Sequence, residues 1–244
     1  MRLILALVVA ALAACGPEPV PSPPAAAAPD SVAAGPRTAV FVVMDGVYNS
    51  ELMAPYDVLH HTVFRDSVDH VVPVVVSPDG GPVTTFEGLE VAAHHSFADA
   101  PRADILVIPS TVGSMDRDLE DEAYMGYVRR AVAEAEWVLT VCDGAFPLAA
   151  TGALDGRVAT TFPSDREVLA ARFPAVDVRD DVRLVVDGKY VTSVGGGMSY
   201  EPAFWLVEHL WGAERVAGNA AGLAWDWDLA RVPHHVAPER GAGG

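Results

Sequence analysis

Cys142 is the side chain whose type and setting suit it to covalent chemistry. It ends the apolar run Trp137-Val-Leu-Thr-Val and precedes Asp143-Gly144 and the segment Ala145-Phe-Pro-Leu-Ala-Ala150, which Gly152 closes. That order spells a strand, a sharp elbow and a helix, with the thiol held out at the end of a sheet. The first free N–H groups of a helix, together with its dipole, favour a thiolate over a thiol at such a corner. The amide of Asp143 would lie where an oxyanion is stabilised. The competing reading is a small buried hydrophobe that closes a core strand.

The elements that must position the cysteine alternate between strand and helix. Residues 38–44 form a continuous apolar run, as expected of a central parallel strand covered on both faces. Asp45-Gly46 turns the chain into a helix over 50–62, with Ser50 as N-cap and Leu52, Met53, Tyr56 and Leu59 on one side. Pro55 falls within its first turns, where a missing N–H is tolerated best. A strand at 70–76, a hairpin of 83–86 with 89–92, and a strand at 105–108 follow. Pro109-Ser-Thr-Val-Gly113 then leads to a helix over 120–136. Beyond the elbow come a strand at 157–161, a helix at 163–172 and two short strands within 176–186. A strand at 189–194 and the junction Gly195-Gly-Gly197 lead to helices at 200–211 and 213–224. The pattern implies a three-layer α/β/α sandwich, flavodoxin-like, around a mostly parallel sheet with a cysteine elbow. Ligands bind such sheets at the carboxyl ends of the strands. That gathers Asp45, Gly46, Ser110, Cys142, Asp143, Gly144 and Gly196 into one candidate pocket.

Length and composition narrow the classes. The 244 residues are 51% apolar, enough for one sizeable domain. There are 33 Asp and Glu against 16 Lys and Arg, and no basic run, so nucleic acid is not an expected partner. Met1-Arg2 and the apolar residues 3–14 have the length of a signal-peptide core rather than of a membrane span. The ending Leu12-Ala-Ala-Cys15-Gly16 resembles a bacterial lipobox, which implies cleavage before Cys15 and lipid on Cys15. Gly16 in place of Asp points to the outer rather than the inner membrane. The expected layout is a signal peptide at 1–14, a Pro/Ala-rich tether at 15–36, a folded domain at 37–233 and a flexible tail at 234–244. With Cys15 lipidated, Cys142 is the one free thiol of an exported chain, facing an oxidising compartment with no disulfide partner.

Eight histidines invite a metal reading, which their spacing does not support. His60-His61, His94-His95 and His234-His235 are adjacent pairs, and neighbours within one element point apart. No spaced-glycine phosphate loop follows the first strand, so neither metal nor nucleotide nor any other cofactor is expected. Trp205, Trp211, Trp225 and Trp227 read as core and lid packing.

Three stretches carry a resemblance: Val141-Cys-Asp-Gly-Ala-Phe-Pro-Leu-Ala-Ala-Thr-Gly-Ala-Leu-Asp-Gly-Arg157, Val186-Asp-Gly-Lys-Tyr-Val-Thr-Ser-Val-Gly-Gly-Gly197, and Asp45-Gly46 with Glu51-Leu-Met-Ala-Pro55. Together they resemble the ThiJ/PfpI superfamily, relatives of class I glutamine amidotransferases, over about residues 38–233. Trp225-Asp-Trp-Asp228 is similar to the branch of isocyanide hydratases and AraC-type regulator N-terminal domains. The resemblance implies Cys142 as nucleophile and Glu51 as its carboxyl partner, kept protonated by burial and able to donate a proton. Without it, Glu51 reads as a helix N-terminal carboxylate on the dipole. The resemblance also implies oxyanion donors at Asp143, Thr111 and Gly113, and a homodimer.

Departures from the pattern qualify what it implies. Pro109-Ser110-Thr111 replaces the usual Pro-Gly-Gly. Asp143 and Phe162 stand where other branches carry histidine, which argues against peptidase and amidotransferase chemistry. Asp143 either raises the Cys142 pKa by its charge or caps the helix and leaves the thiol alone. The first expectation is a lipid-anchored, cofactor-free cysteine enzyme of hydratase or hydrolase type, acting on a small electrophile. The second is a non-catalytic ligand-binding or redox-sensing module on the same fold. A glyoxalase or deglycase role ranks third, for want of the histidine.

Overall fold

The computed structural model describes residues 35–239. The signal peptide at 1–14, the lipidation site Cys15, nearly all of the tether and residues 240–244 lie outside them. The described chain runs β1 (Arg37–Val42), α1 (Asn49–His60), β2 (Val71–Ser77), β3 (Val83–Thr84), β4 (Glu90–Val91), β5 (His95–Ser96), β6 (Ile105–Ile108), α2 (Arg117–Glu120), α3 (Glu122–Glu134) and β7 (Trp137–Val141). It continues through α4 (Ala145–Ala150), β8 (Val158–Ala159), α5 (Arg166–Arg172), β9 (Asp177–Val178), β10 (Leu184–Asp187), β11 (Tyr190–Ser193), α6 (Glu201–Trp211), α7 (Ala213–Gly222) and β12 (His234–Val236).

Eight strands form one sheet in the order β12-β10-β11-β7-β6-β1-β2-β5. Every neighbouring pair is parallel except β10 with β11. Side-chain alternation splits the interior into two cores. Ala39, Phe41, Val107, Leu139 and Val191 pack on one face with Leu52 and Leu59 of α1, Phe204 of α6 and Val216 of α7. Val40, Val42, Leu106, Ile108 and Val138 pack on the other with Tyr124 and Val128 of α3, Phe146 of α4 and Leu169 of α5. This is the expected α/β/α sandwich. Because both faces are buried, a one-residue slip in any central strand would invert two cores at once.

Several boundaries differ from the sequence expectation for local reasons. The N-cap of α1 is Tyr48, with no side-chain cap bond, and Ser50 lies inside the helix. The helix expected over 120–136 is α3, preceded by the short α2, because Asp121 is extended and its carboxylate accepts from the amides of Ala123 and Tyr124 at 2.9 Å. That is an N-cap, and it restarts the helix. The tail at 234–244 is not wholly flexible: His234–Val236 adds to the sheet edge, pairing with Leu184, Val185 and Val186. The bond from the Arg183 amide to the Pro233 carbonyl, 2.8 Å, leads into that edge. The tryptophans pack as expected. The Trp225 ring stacks on Tyr200 at 4.7 Å, and Trp227 donates to Glu208 Oε2 at 2.6 Å.

Four adjacent strands, β11, β7, β6 and β1, deliver their C-terminal loops to one end of the sheet. Those loops carry Gly195 and Gly196, Cys142, Ser110, and Glu51 at the start of α1.

Candidate active site

The elbow is tight. Cys142 has a φ of 56°, a left-handed conformation that costs an ordinary L-residue about 1–3 kcal/mol. Packing holds it there. A Cβ added to Gly195 would come within 2.9 Å of the Cys142 nitrogen and 3.0 Å of its Cα. Gly195 itself sits at φ 71°, so only glycine fits on both counts. Gly144 plays the matching part on the other side, where a Cβ would collide with the Ile108 carbonyl. The Thr161 hydroxyl lies 3.0 Å from the Cys142 carbonyl oxygen and 2.9 Å from Asp143 Oδ1, sharing its one hydrogen between them.

Glu51 is 4% exposed and faces the thiol. Its Oε2 accepts the Ser110 amide at 3.2 Å, and its carboxyl also accepts from the Gly196 amide and meets the Cys142 thiol in a hydrogen bond. Burial pushes its pKa up from 4.5 to about 7, and the Asp143 charge adds to this. The three hydrogen bonds draw it back. Asp143 is raised from 3.8 to about 6, first by burial and then by the neighbouring carboxyl of Asp165, while the Thr161 hydroxyl and the thiol lower it. Its carboxyl makes no helix cap; it turns into the site and touches Cys142. That decides between the two expectations for this residue.

The thiol does not behave as the elbow alone suggested. Its pKa is raised, first by burial and then by the charges of Glu51 and Asp143. The Asp143 amide is the one donor drawing it down. The elbow's tendency toward a thiolate is outweighed first by burial and then by the charges of Glu51 and Asp143. Cys142 rests as a thiol between two carboxyls.

The 110–113 loop is a second correction. The Thr111 amide donates to Ser114 Oγ at 2.8 Å, and the Gly113 amide to Thr111 Oγ1 at 3.0 Å. The Thr111 hydroxyl in turn donates to Asp118. Neither Thr111 nor Gly113 offers a free oxyanion donor, and Ser110 spends its amide on Glu51. The substituted Pro-Ser-Thr loop has become a self-bonded turn. Asp45 is exposed, and its Oδ1 accepts the Thr84 amide at 2.8 Å, so it anchors the β3–β4 hairpin instead of lining the thiol pocket. Gly46, at φ 86°, lies against Val112 as a turn residue. Ser110, Gly144 and Gly196 do meet at the site, Gly196 through its amide on Glu51.

Tyr48 was not legible from sequence. Its phenol is raised first by burial and then by Cys142, Glu51, Asp143 and Glu87, so its hydroxyl shares their space. Its ring lies 4.8 Å from Phe86 of the hairpin. A tyrosine three residues before an acid carries no sequence signal; the turn into α1 places it. The histidine pairs stand elsewhere: His61 Nδ1 lies 2.9 Å from the Asp57 carbonyl oxygen, and His94 Nδ1 accepts the Val75 amide.

Comparison with known proteins bears on the family and the fold. The sequence pattern of the DJ-1/PfpI family matches residues 37–209. The chain is 32% identical to the isonitrile hydratase of Pseudomonas putida over 174 residues, 71% of this chain and 72% of that protein. It is 29% identical to the helix-turn-helix transcriptional regulator GlxA of Rhizobium meliloti over 171 residues, spanning half of that protein's length. Among solved structures, a ThiJ/PfpI family protein from Pseudomonas syringae superposes with a TM-score of 0.71 at 22% identity, covering 86% of this chain and 80% of that one. The chain belongs to the DJ-1/PfpI family.

Proposed function

We propose that this DJ-1/PfpI family member is a cofactor-free cysteine hydratase acting on small electrophiles of the isonitrile class. The observation that carries the reading is Cys142 held between two carboxyls of unequal acidity, Glu51 near pH 7 and Asp143 near pH 6. At neutral pH one is suited to give a proton while the other takes one. The similarity to an isonitrile hydratase supports the substrate class.

In the first step the sulfur bonds the isonitrile carbon, the thiol proton passes to Asp143, and Glu51 protonates the carbon. The product is a thioimidate, Cys142–S–CH=N–R. Water then adds to that carbon, giving a proton to Glu51 while Asp143 returns one to nitrogen. The C–S bond breaks with its electrons going to sulfur, the hydroxyl proton restores the thiol, and an N-substituted formamide leaves. Splitting hydration through a covalent adduct replaces one hard step with two. A thiol that rests neutral suits this scheme, since its proton is consumed in the first step.

The test is formamide production from benzyl isonitrile by the full-length protein, followed by chromatography. Cys142→Ala should abolish it, and Glu51→Gln should lower kcat by about 10²-fold or more. A folded wild type that makes no formamide sinks the proposal. The second reading, a ligand-binding or sensing module, draws on the self-bonded 110–113 loop and on the regulator similarity. It predicts a ligand-induced rise in Tm without turnover.

We also propose that lipid on Cys15 anchors the chain in the cell envelope, at the outer membrane. Cys15→Ala should lose labelled-palmitate incorporation in a bacterial host, and unchanged labelling would exclude it. A homodimer is proposed from the family; a monomer in sedimentation equilibrium would overturn it.

A further inference from the structure

Asp165 carries a carboxyl that the proposed reaction leaves idle, in a setting unusual for an aspartate at a helix start. It is the N-cap residue of α5, where aspartate ordinarily accepts a free amide of the first turn. Here it makes no side-chain cap bond. A tight turn over Pro163–Asp165, closed by the Asp165 amide on the Phe162 carbonyl at 3.0 Å, sets its backbone. Its half-buried carboxyl instead meets that of Asp143 in a hydrogen bond beside the nucleophile.

Two carboxyls can hydrogen-bond each other only when one of them holds a proton, because an ionised carboxylate accepts and cannot donate. The contact favours the protonated form of Asp143, so Asp143 is the donor and Asp165 the acceptor. The Thr161 hydroxyl steadies Asp143 as well, donating to its Oδ1 at 2.9 Å. Arg166, next in the chain, spends its guanidinium elsewhere. It donates to the carbonyls of Asp180 and Val182, each at 2.6 Å, and to Thr160 Oγ1 at 3.2 Å. Asp143 also faces the Cys142 thiol, Glu51 and the Tyr48 phenol, each of which becomes an anion when it ionises. A proton, not a cation, balances the pair.

We infer that Asp165 is a positioning residue for the proposed reaction: its carboxylate accepts the O–H of Asp143 once the thiol proton has arrived there, and keeps that proton in place until nitrogen takes it. This rests on the cysteine-hydratase reading. The proton moves from sulfur to Asp143 and then to nitrogen, while Asp165 gains and loses none. A buried thiol between anions parts with its proton reluctantly. Its base must therefore be stronger than an ordinary aspartate, and a second carboxylate beside it makes it so.

The test is the titration of Asp143 by carbon-13 NMR of the full-length protein carrying carboxyl-labelled aspartate, with Asp143→Asn assigning its resonance. Asp165→Asn keeps the size of the side chain, and both it and Asp165→Ser keep a good N-cap residue, so a mere helix-start role survives in each. The Asp143 inflection, about pH 6 in the wild type, should fall by about one pH unit in both variants. The acid limb of kcat/KM for benzyl isonitrile, which needs Asp143 ionised, should fall with it. An inflection that stays put in either variant overturns the pairing. An inflection that falls while the acid limb does not follow overturns the role. A wild type that makes no formamide sinks the hydratase reading and the role with it, and the NMR titration still decides whether the two carboxyls share a proton.

Discussion

Gly195 stands directly behind Cys142, its α-carbon against the backbone of the nucleophile, with room for no side-chain atom between them. Gly195→Ala would force a Cβ onto that backbone and add the strain of a positive φ. Overpacking of about 1–3 kcal/mol and left-handed strain of about 1–2 kcal/mol both apply. The variant should unfold at a clearly lower urea midpoint than wild type. An unchanged midpoint would show that the elbow is looser than its geometry implies.

Stability should depend on pH through the two buried carboxyls. Folding raises Glu51 from 4.5 to about 7 and Asp143 from 3.8 to about 6, so it favours their protonated forms. Their contribution is fully present below pH 4 or so and is lost as pH rises toward about 7. For Glu51 the swing is at most about 3 kcal/mol. The difference in unfolding free energy between wild type and Glu51→Gln should therefore slope between pH 4.5 and 7, with wild type relatively less stable at the upper end. A flat difference curve would contradict the burial of that charge.

Alkylation should separate the roles of the carboxyls from simple access to sulfur. Both negative charges raise the thiol, so Asp143→Asn and Glu51→Gln should each lower its pKa and speed iodoacetamide labelling at pH 7 several-fold. The same substitutions should slow hydration, because each removes a proton carrier. Labelling that slows along with turnover would point to a collapsed site instead.

Thr161 is fully buried, and its hydroxyl serves two acceptors. Thr161→Val keeps the shape and leaves the Cys142 carbonyl and the Asp143 carboxyl without that donor. The expected cost is about 1–3 kcal/mol of stability. Labelling near neutral pH should also speed up, because Asp143 loses a bond that lowers its pKa and so keeps less negative charge beside the thiol. If neither quantity moves, the hydroxyl is not what holds the elbow.

The sequence announced the scaffold more clearly than the electrostatics. The runs at β1, β2, β6 and β7 are apolar and β-branched, and periodicity alone places them. The corner at Cys142 followed from Asp143-Gly144. What escaped was set by partners distant in the chain. β12 is a three-residue edge strand whose pairing rests on backbone bonds to β10, and His-His-Val advertises none of it. The occupied amides of Thr111 and Gly113 depend on the side chains of Ser114 and Thr111 folding back on the loop. The neutral thiol depends on burial that no local motif encodes. Asp121 is the exception: an aspartate ahead of Glu-Ala-Tyr is a cap signal in plain view, obscured by reading 120–136 as one periodic stretch.

The edge strand bears on where the sheet that carries the rigid elbow can move. Pro233 leads into β12, and His234–Val236 pairs with β10 as the last strand of the sheet, with Arg179 against the His235 ring. Strands at the margin of a sheet open at lower free energy than those at its centre. Cys142 follows β7, three strands further in, clamped by Gly144, Gly195 and Thr161. Compliance and precision are thereby assigned to different strands: the margin can breathe while the nucleophile keeps its place.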